Sequence, residues 1–432
     1  MKSPFLRLLG ENRNYRYTWM GQVVSEIGDH FNNVAVFSLA LEITGSGMVV
    51  AGIMLARGFA VVLAGPLAGV LLDRMDRKRI MIASDLVRAV LVALFVATLA
   101  YREPWLLILL SGLLMFASPF FTSGRAAILP TIASPEQLHT ANSLTQTTQW
   151  TTLTIGTLTA GFSAAQFGYD WAFLINALSF LFSAWSISQL RAGRSEFRAQ
   201  RSALTETEVV RPWHEYAEGL RYMKTTPLIL GIAMIHVGWA SGGGAAQILF
   251  SLFGEKVFNR GPSGIGVVWG FAGIGLLAGG VLGHRLGKAL DFARYKWTIA
   301  VCYLIHGAAY VLFSQAPVFA WALFHIALSR AAVGVTSVLN FSRLLRHVPD
   351  EFRGRVFATL ESLTWATMML SMTAAGIASE HISVRTIGAW SGVLSGSTAL
   401  FWTWAILARR LPEPPPAGVA PEEVEVHGEP AL

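Results

Sequence analysis

The chain has 432 residues and a formal net charge of +7, and it is 53% hydrophobic but only 14% charged. Soluble domains carry about a quarter charged residues, so this balance excludes an ordinary soluble protein and points to a polytopic membrane protein. The excess of positive charge is not read as nucleic-acid affinity, because the basic residues sit in short segments between apolar runs, where they orient helices. The single cysteine, Cys302, excludes an internal disulfide and, inside an apolar run, reads as inert packing.

Crossing a bilayer takes about 20 mainly apolar residues, and twelve segments qualify. The first six lie near 17–42, 48–72, 80–100, 105–124, 140–165 and 170–190. The first of these starts near Tyr17 and has no small-residue cleavage site, so it is expected to remain as a helix and not to be a signal peptide. The second six lie near 227–255, 263–285, 296–314, 318–340, 355–379 and 385–408. Between the sixes, 191–226 is the longest polar segment; it carries Arg191, Arg194, Arg198, Arg201 and Arg211, then a short surface helix predicted over 213–224. The Pro- and Glu-rich residues after Arg410 are expected to be disordered.

With both termini in the cytoplasm, 26 of the 33 Lys and Arg fall in inner segments and four in outer ones; Arg57, Arg88 and Arg330 lie within helices. That asymmetry sets the expected topology. A weak internal repeat supports two halves. LAGPLAGVLLDR at 63–74 aligns with LAGGVLGHRLGK at 277–288, pairing Gly69 with Gly283 and Arg74 with Lys288, while Asp73 meets Gly287. RAAILP ending at Pro130 and RLLRHVP ending at Pro349 correspond in the same way. The expected organisation is an all-α membrane protein with a six-helix half over 1–190, a cytoplasmic linker over 191–226, a second six-helix half over 227–409 and a tail over 410–432.

GPLAGVLLDRMDRKR at 65–79 begins in an apolar run and ends in a basic cluster, which marks the cytoplasmic side. Gly65 and Gly69 are four apart, a spacing that lets two membrane helices approach closely. The stretch resembles the signature loop after the second helix of major facilitator transporters, roughly G-x-x-x-D-R-x-G-R-K/R. Gly69, Asp73, Arg74, Arg77 and Lys78 match, and Asp76 stands where that pattern has glycine. The resemblance implies the major facilitator fold, with this loop packed on neighbouring helices and holding one transport state closed. GQVVSEIGDHFNNVA at 21–35, the loop RAAILP…LHTANSL at 125–144 and HVPDEFRGRVFA at 347–358 resemble a bacterial exporter branch that includes macrolide-efflux proteins and the enterobactin exporter. The antiporter pattern of the fifth helix, roughly G-P-x-x-G-G, is only partly present: Gly156-Thr157-Leu158-Thr159-Ala160-Gly161 lacks the proline.

Ionisable groups at membrane depth are costly and mark function. In the first segment Glu26, Asp29, His30 and Asn33 recur at helical spacing along one face, with Asp29 near mid-bilayer. Burial favours the neutral form of a carboxylic acid, so Asp29, with Glu26, is the candidate proton carrier. The competing reading is a structural cap or a buried ion pair with Arg57 or Arg88. Asp85 and Arg88, three apart, are expected to pair and to belong with Arg125, Glu136 and the signature loop in a cytoplasmic gate. The second half contributes His236, His306, His325, Arg330 and Glu361; the isolated histidines read as packing residues, and Glu361 as a second site for a proton or cation. Ser241-Gly242-Gly243-Gly244 reads either as a flexible point or as close helix packing. Phe31, Trp150, Trp239 and Trp365 are candidate cavity walls, which suits a large amphipathic solute.

No Walker loop, catalytic triad or metal-ligand spacing is present, so neither an enzyme, a metal centre nor any cofactor is expected. The expected partners are a small organic molecule, protons and membrane lipids, with no nucleic acid, and the chain is expected to act as a monomer in the bacterial plasma membrane. The expected function is export of a drug, macrolide or siderophore in exchange for protons by alternating access, the outward direction being what the resemblance implies and the proton coupling resting on the acidic stripe at Asp29. Alternatives on the same scaffold are a lipid or lysolipid flippase, a metal-ion exporter, a non-transporting sensor and a membrane-embedded enzyme.

Overall fold

A computed structural model describes residues 4–191 and 212–415. Linker residues 192–211, with Arg194, Arg198, Arg201 and Arg211, and tail residues 416–432 lie outside the described residues. Among the described residues the ordered elements are helices: α1 Pro4–Glu11, α2 Arg13–Thr44, α3 Gly47–Arg74, α4 Arg77–Tyr101, α5 Pro104–Ile132, α6 Pro135–Phe167, α7 Tyr169–Ser188 and α8 Pro212–Thr225. There follow α9 Pro227–Leu252, which runs into a π turn Phe253–Val257, then α10 Gly261–Ala289, α11 Phe292–Gln315, α12 Phe319–His347, α13 Asp350–Ala378, α14 Val384–Gly396 and α15 Thr398–Leu407.

Every predicted segment is helical. Among the described residues eight helices are long and apolar enough to cross a membrane: α3, α4, α5, α7, α9 with its π turn, α10, α11 and α12. The others differ for visible reasons. The Glu26–Asn33 stripe makes α2 polar, α6 is rich in Thr and Gln, and α13 carries Glu361. The predicted twelfth segment is two short helices meeting at Ser397, where α14 and α11 come into backbone contact: a Cβ on Gly396 would lie 2.8 Å from the Cα of Gly307. Leu63, Leu67, Leu178, Leu400 and Leu407 face outward, an arrangement a lipid solvent permits.

Local chemistry explains the boundaries. Asn12 caps α2 by accepting from the Tyr15 amide at 2.9 Å, and Gly45, at φ 60°, ends it in the left-handed region. Ser134 and Gln137 form a capping box at the start of α6, five residues earlier than hydropathy alone suggests. Asp76, the departure from the family loop, has a role of its own: it caps α4, accepting from the Arg79 amide at 3.2 Å.

By packing, the described residues fall into two compact units. The first comprises residues 4–191 with Ile248–Gly273 and Ala375–Val384; the second comprises 212–247, Ile274–Ala374 and 385–415. In the first unit, α6 crosses α10 at backbone contact. A Cβ on Gly161 would lie 2.8 Å from the Gly266 Cα, and one on Gly266 would lie 2.4 Å from the Thr157 carbonyl. The crossing is made without the proline of the antiporter pattern. Ser46, at the turn between α2 and α3, donates to Glu380 at 2.7 Å and holds that carboxyl below the usual carboxylate range.

In the second unit, Trp402, Tyr295 and Ile299 centre an apolar core, and the Trp402 indole donates to the Lys296 carbonyl at 2.8 Å. The predicted surface helix is α8, laid against α13 through Gly219, whose Cβ would meet Thr359 Oγ1 at 2.6 Å. The start of the predicted tail is held. Leu411 is buried, the Lys296 ammonium donates to its carbonyl at 3.2 Å, and Glu413 pairs with Arg343 at 3.2 Å.

Candidate functional site

The first unit builds its polar site by fixing the roll of α2. Gly21, Ser25 and Gly28 are buried, and a Cβ on Gly28 would stand 2.1 Å from Ser179 Oγ and 2.5 Å from Asn176 Oδ1 of α7. With that face pressed on α7, Glu26, Asp29, His30 and Asn33 are left half-buried together along another. Gly28→Val is therefore expected to destabilise the fold by about 1–3 kcal/mol through overpacking, read as a lower unfolding temperature of the detergent-solubilised protein; an unchanged temperature would sink this account of α2.

Three groups on this face have fixed partners. Glu26 accepts from Gln22 Nε2 at 2.8 Å, Thr152 Oγ1 at 2.8 Å and Arg125 Nη1 at 3.4 Å. Asn33 accepts from Arg57 at 2.7 Å, and that buried guanidinium also lies 5.1 Å from the Phe37 ring centre. The His30 ring packs on Gly156 of α6, where a Cβ would come within 2.7 Å of it. Asp29 differs: among the described residues no hydrogen bond or ion pair reaches its carboxylate. The charges acting on it are Arg88, Glu26, Arg57 and Asp85.

The ion pair weighed for Asp29 is thus made elsewhere. Arg57 is committed to Asn33, and Arg88 pairs with Asp85. That pair is sealed inside the unit, with side chains 3% and 0% exposed and the guanidinium 4.6 and 4.3 Å from the ring centres of Phe121 and Phe180. Arg125 joins Glu26, while Glu136, placed with it in the expected cytoplasmic gate, is exposed and accepts from Ser134.

The signature loop ties helix ends together. Arg77 donates to the Ala127 carbonyl of α5 at 2.9 Å, and Lys78 donates to the carbonyls of Ser188 and Leu190 at 2.7 and 2.9 Å. Arg77 thus reaches the last turns of α5, and Lys78 sits at the C-terminus of α7, where a cation is favoured by the helix dipole. Arg74 is exposed, and the Asp73 side chain lies outside the described residues. The close approach expected at Gly65 and Gly69 is not made among the described residues, none of which lies within 4 Å of a Cβ at either position. The packed stripe on α3 is one residue away, at Ala60, Ala64 and Ala68.

In the second unit, the glycines of α9 serve close packing within an unbroken helix: a Cβ would lie 2.0 Å from the Ser391 carbonyl at Gly242 and 2.3 Å from the Met368 carbonyl at Gly244. His306 is buried between Ser329 and Ser395, 2.7 Å from each hydroxyl, as expected of a packing histidine. A cavity of about 310 Å³ opens between α9, α12 and α13, lined by His236, Phe341, Phe357, Glu361 and Trp365 among others. Glu361 and Trp365 therefore share one cavity, whereas Trp239 lies over Gly243 of its own helix. Phe31 is buried in α2 and Trp150 half-buried in α6.

Sequence reasoning missed the partners of Glu26 and two of the rings around Glu361. Gln22 and Phe357, each four residues before the acid they attend, carried a helical-spacing signal; Thr152 and Phe341 come from other helices and carried none.

The profile of the Major Facilitator Superfamily matches residues 18–358. Macrolide efflux protein A of Streptococcus pyogenes is 22% identical over 380 residues, covering 87% of this chain and 92% of that protein. The putative bacilysin exporter of Bacillus subtilis is 21% identical, covering 81% and 84%. A crystal structure of a bacterial homologue of the iron transporter ferroportin superposes with a TM-score of 0.65 at 19% identity, covering 90% of this chain and 98% of that one, a likeness of fold alone. With the family matched over most of its length and on a helical membrane fold, this multi-pass membrane protein is a transporter and not an enzyme, and it belongs to the major facilitator superfamily.

Proposed function

We propose that the chain is a twelve-span, monomeric exporter of the bacterial plasma membrane, with both termini in the cytoplasm. Two six-helix halves, 1–190 and 227–409, alternate access to move an amphipathic organic compound outward in exchange for protons. One observation carries the coupling: among the described residues Asp29 has no hydrogen-bond or ion-pair partner, while Glu26, Asn33 and Asp85, and the arginines Arg57, Arg88 and Arg125, all do. A carboxylate without a fixed cation or donor is free to gain and lose a proton as its surroundings change. The Arg77 and Lys78 contacts, with Asp73 and Arg74, are read as the cytoplasmic latch.

The outward direction and organic solute draw on relatives named for macrolide efflux and bacilysin export. The metal-ion alternative has a fold likeness to solved metal transporters, but among the described residues no three His, Cys, Asp or Glu side chains converge. The test uses everted vesicles with an imposed proton gradient and a pH-sensitive dye, challenged in turn with macrolides, cationic dyes, siderophores and divalent metals. Gradient dissipation by one organic class is the expected result. Dissipation by metals alone would replace the solute class, and silence across the panel with folded protein present would remove proton antiport.

A further inference from the structure

We infer that the cavity between α9, α12 and α13 is a binding site for an organic monocation with an aromatic or apolar body. The inference rests on the exporter reading for its biological setting but not for its chemistry. Among the described residues Glu361 is the only charged side chain lining this cavity of about 310 Å³. It is solvent-exposed and, among the described residues, holds neither a hydrogen bond nor an ion pair, so its charge is not spent on the fold.

Its neighbours are rings. Phe357 and Trp365 lie one turn before and one turn after it on the same face of α13. Phe341 of α12 meets Phe357 with ring centres 5.3 Å apart, and Phe341 and Trp365 are 53% and 49% exposed. On the third side, His236 Nδ1 is 2.7 Å from the Ile232 carbonyl, which leaves the other ring edge to the cavity. The Thr364 hydroxyl already donates to Leu360.

One unspent carboxylate in a cavity lined by three aromatic rings is the chemistry that holds an organic cation, through the ion pair and through cation–π attraction. It disfavours an anion, which the carboxylate repels. A small hydrated ion is disfavoured too, since an apolar wall replaces none of its water. The volume is at the lower end for drug-sized ligands, which suits a compact cation or the cationic group of a larger molecule. Recognition would then rest on α13, apart from the acids of α2 proposed to carry the proton.

Equilibrium binding of radiolabelled tetraphenylphosphonium to the purified full-length protein in nanodiscs, with no proton gradient, tests the site. Saturable binding is expected, weakened about tenfold or more in Glu361→Gln and several-fold in Trp365→Leu. Triphenylphosphine oxide, uncharged and of similar shape, should bind about tenfold more weakly than the cation to the wild type and be indifferent to Glu361→Gln. Glu11→Gln, which removes an exposed carboxylate of α1, controls for general loss of negative charge and should bind like wild type. Absence of saturable binding overturns the proposal, as does unchanged binding in a monodisperse Glu361→Gln protein. Loss in Asp29→Asn with Glu361→Gln unaffected overturns it as well, by moving recognition to α2. Binding that depends on Glu361 in a protein that never dissipates a proton gradient would support the cation site while removing the proton-coupled reading.

Discussion

Asp29→Asn is expected to lower proton-driven export by about tenfold or more while leaving exchange of substrate for substrate intact. Asparagine matches the carboxylate in size but cannot carry a proton. Because no hydrogen bond or ion pair of the described residues ends on Asp29, the substitution removes no structural contact. Glu26→Gln should behave differently. It removes the negative charge that pairs with Arg125 and weakens contacts to Gln22 and Thr152, so transport should fall together with stability. The check is vesicle transport with and without a pH gradient, beside the unfolding temperature of each variant. Full gradient-driven export in Asp29→Asn would end the assignment of the coupling proton to Asp29. If Glu26→Gln alone lost the gradient response at unchanged stability, the proton would belong to Glu26.

The second large effect concerns stability. Asp85 and Arg88 form an ion pair with almost no solvent contact, the guanidinium held between Phe121 and Phe180. Removing one member of such a pair leaves an uncompensated buried charge and costs about 3–5 kcal/mol, whereas replacing both with apolar groups of similar volume is often neutral. Arg88→Met alone should therefore depress the unfolding temperature strongly, and Asp85→Leu combined with Arg88→Met should recover most of the loss. A double variant no better than the single would mean that the two aromatic contacts, and not the charge balance, make Arg88 necessary. The same double variant tests the gate assignment: with stability restored, an unchanged rate of transport would make the pair purely structural.

The helices were legible because lipid leaves the backbone few choices. Apolar runs about twenty residues long, divided by basic clusters, are a direct imprint of the bilayer. What hydropathy could not place were the ends, because ends are set by hydrogen bonding. The helix α5 runs past Arg125 to Ile132, and the box at Ser134 opens α6 before its apolar run begins. The register of packing was also hidden. Gly65 and Gly69 have the right spacing for close contact, yet the buried stripe is alanine, because the roll of α3 is decided by what it meets and not by its own smallest residues. At the site, the acidic face of α2 was visible as a period in one helix. Of the partners that distinguish Glu26 from Asp29, Gln22 lies on α2 itself, but Arg125 and Thr152 come from α5 and α6, and their convergence is tertiary.

The anchoring of Leu411 and Glu413 has a practical side for anyone attaching a reporter to this protein. A fluorescent protein or affinity handle grafted directly after Arg410 would discard a side chain seated beside Trp402 and a carboxylate that neutralises Arg343. Grafted after Pro415, the same handle leaves both in place. A loss of yield seen with the shorter fusion should be traced to the junction before it is blamed on the cargo.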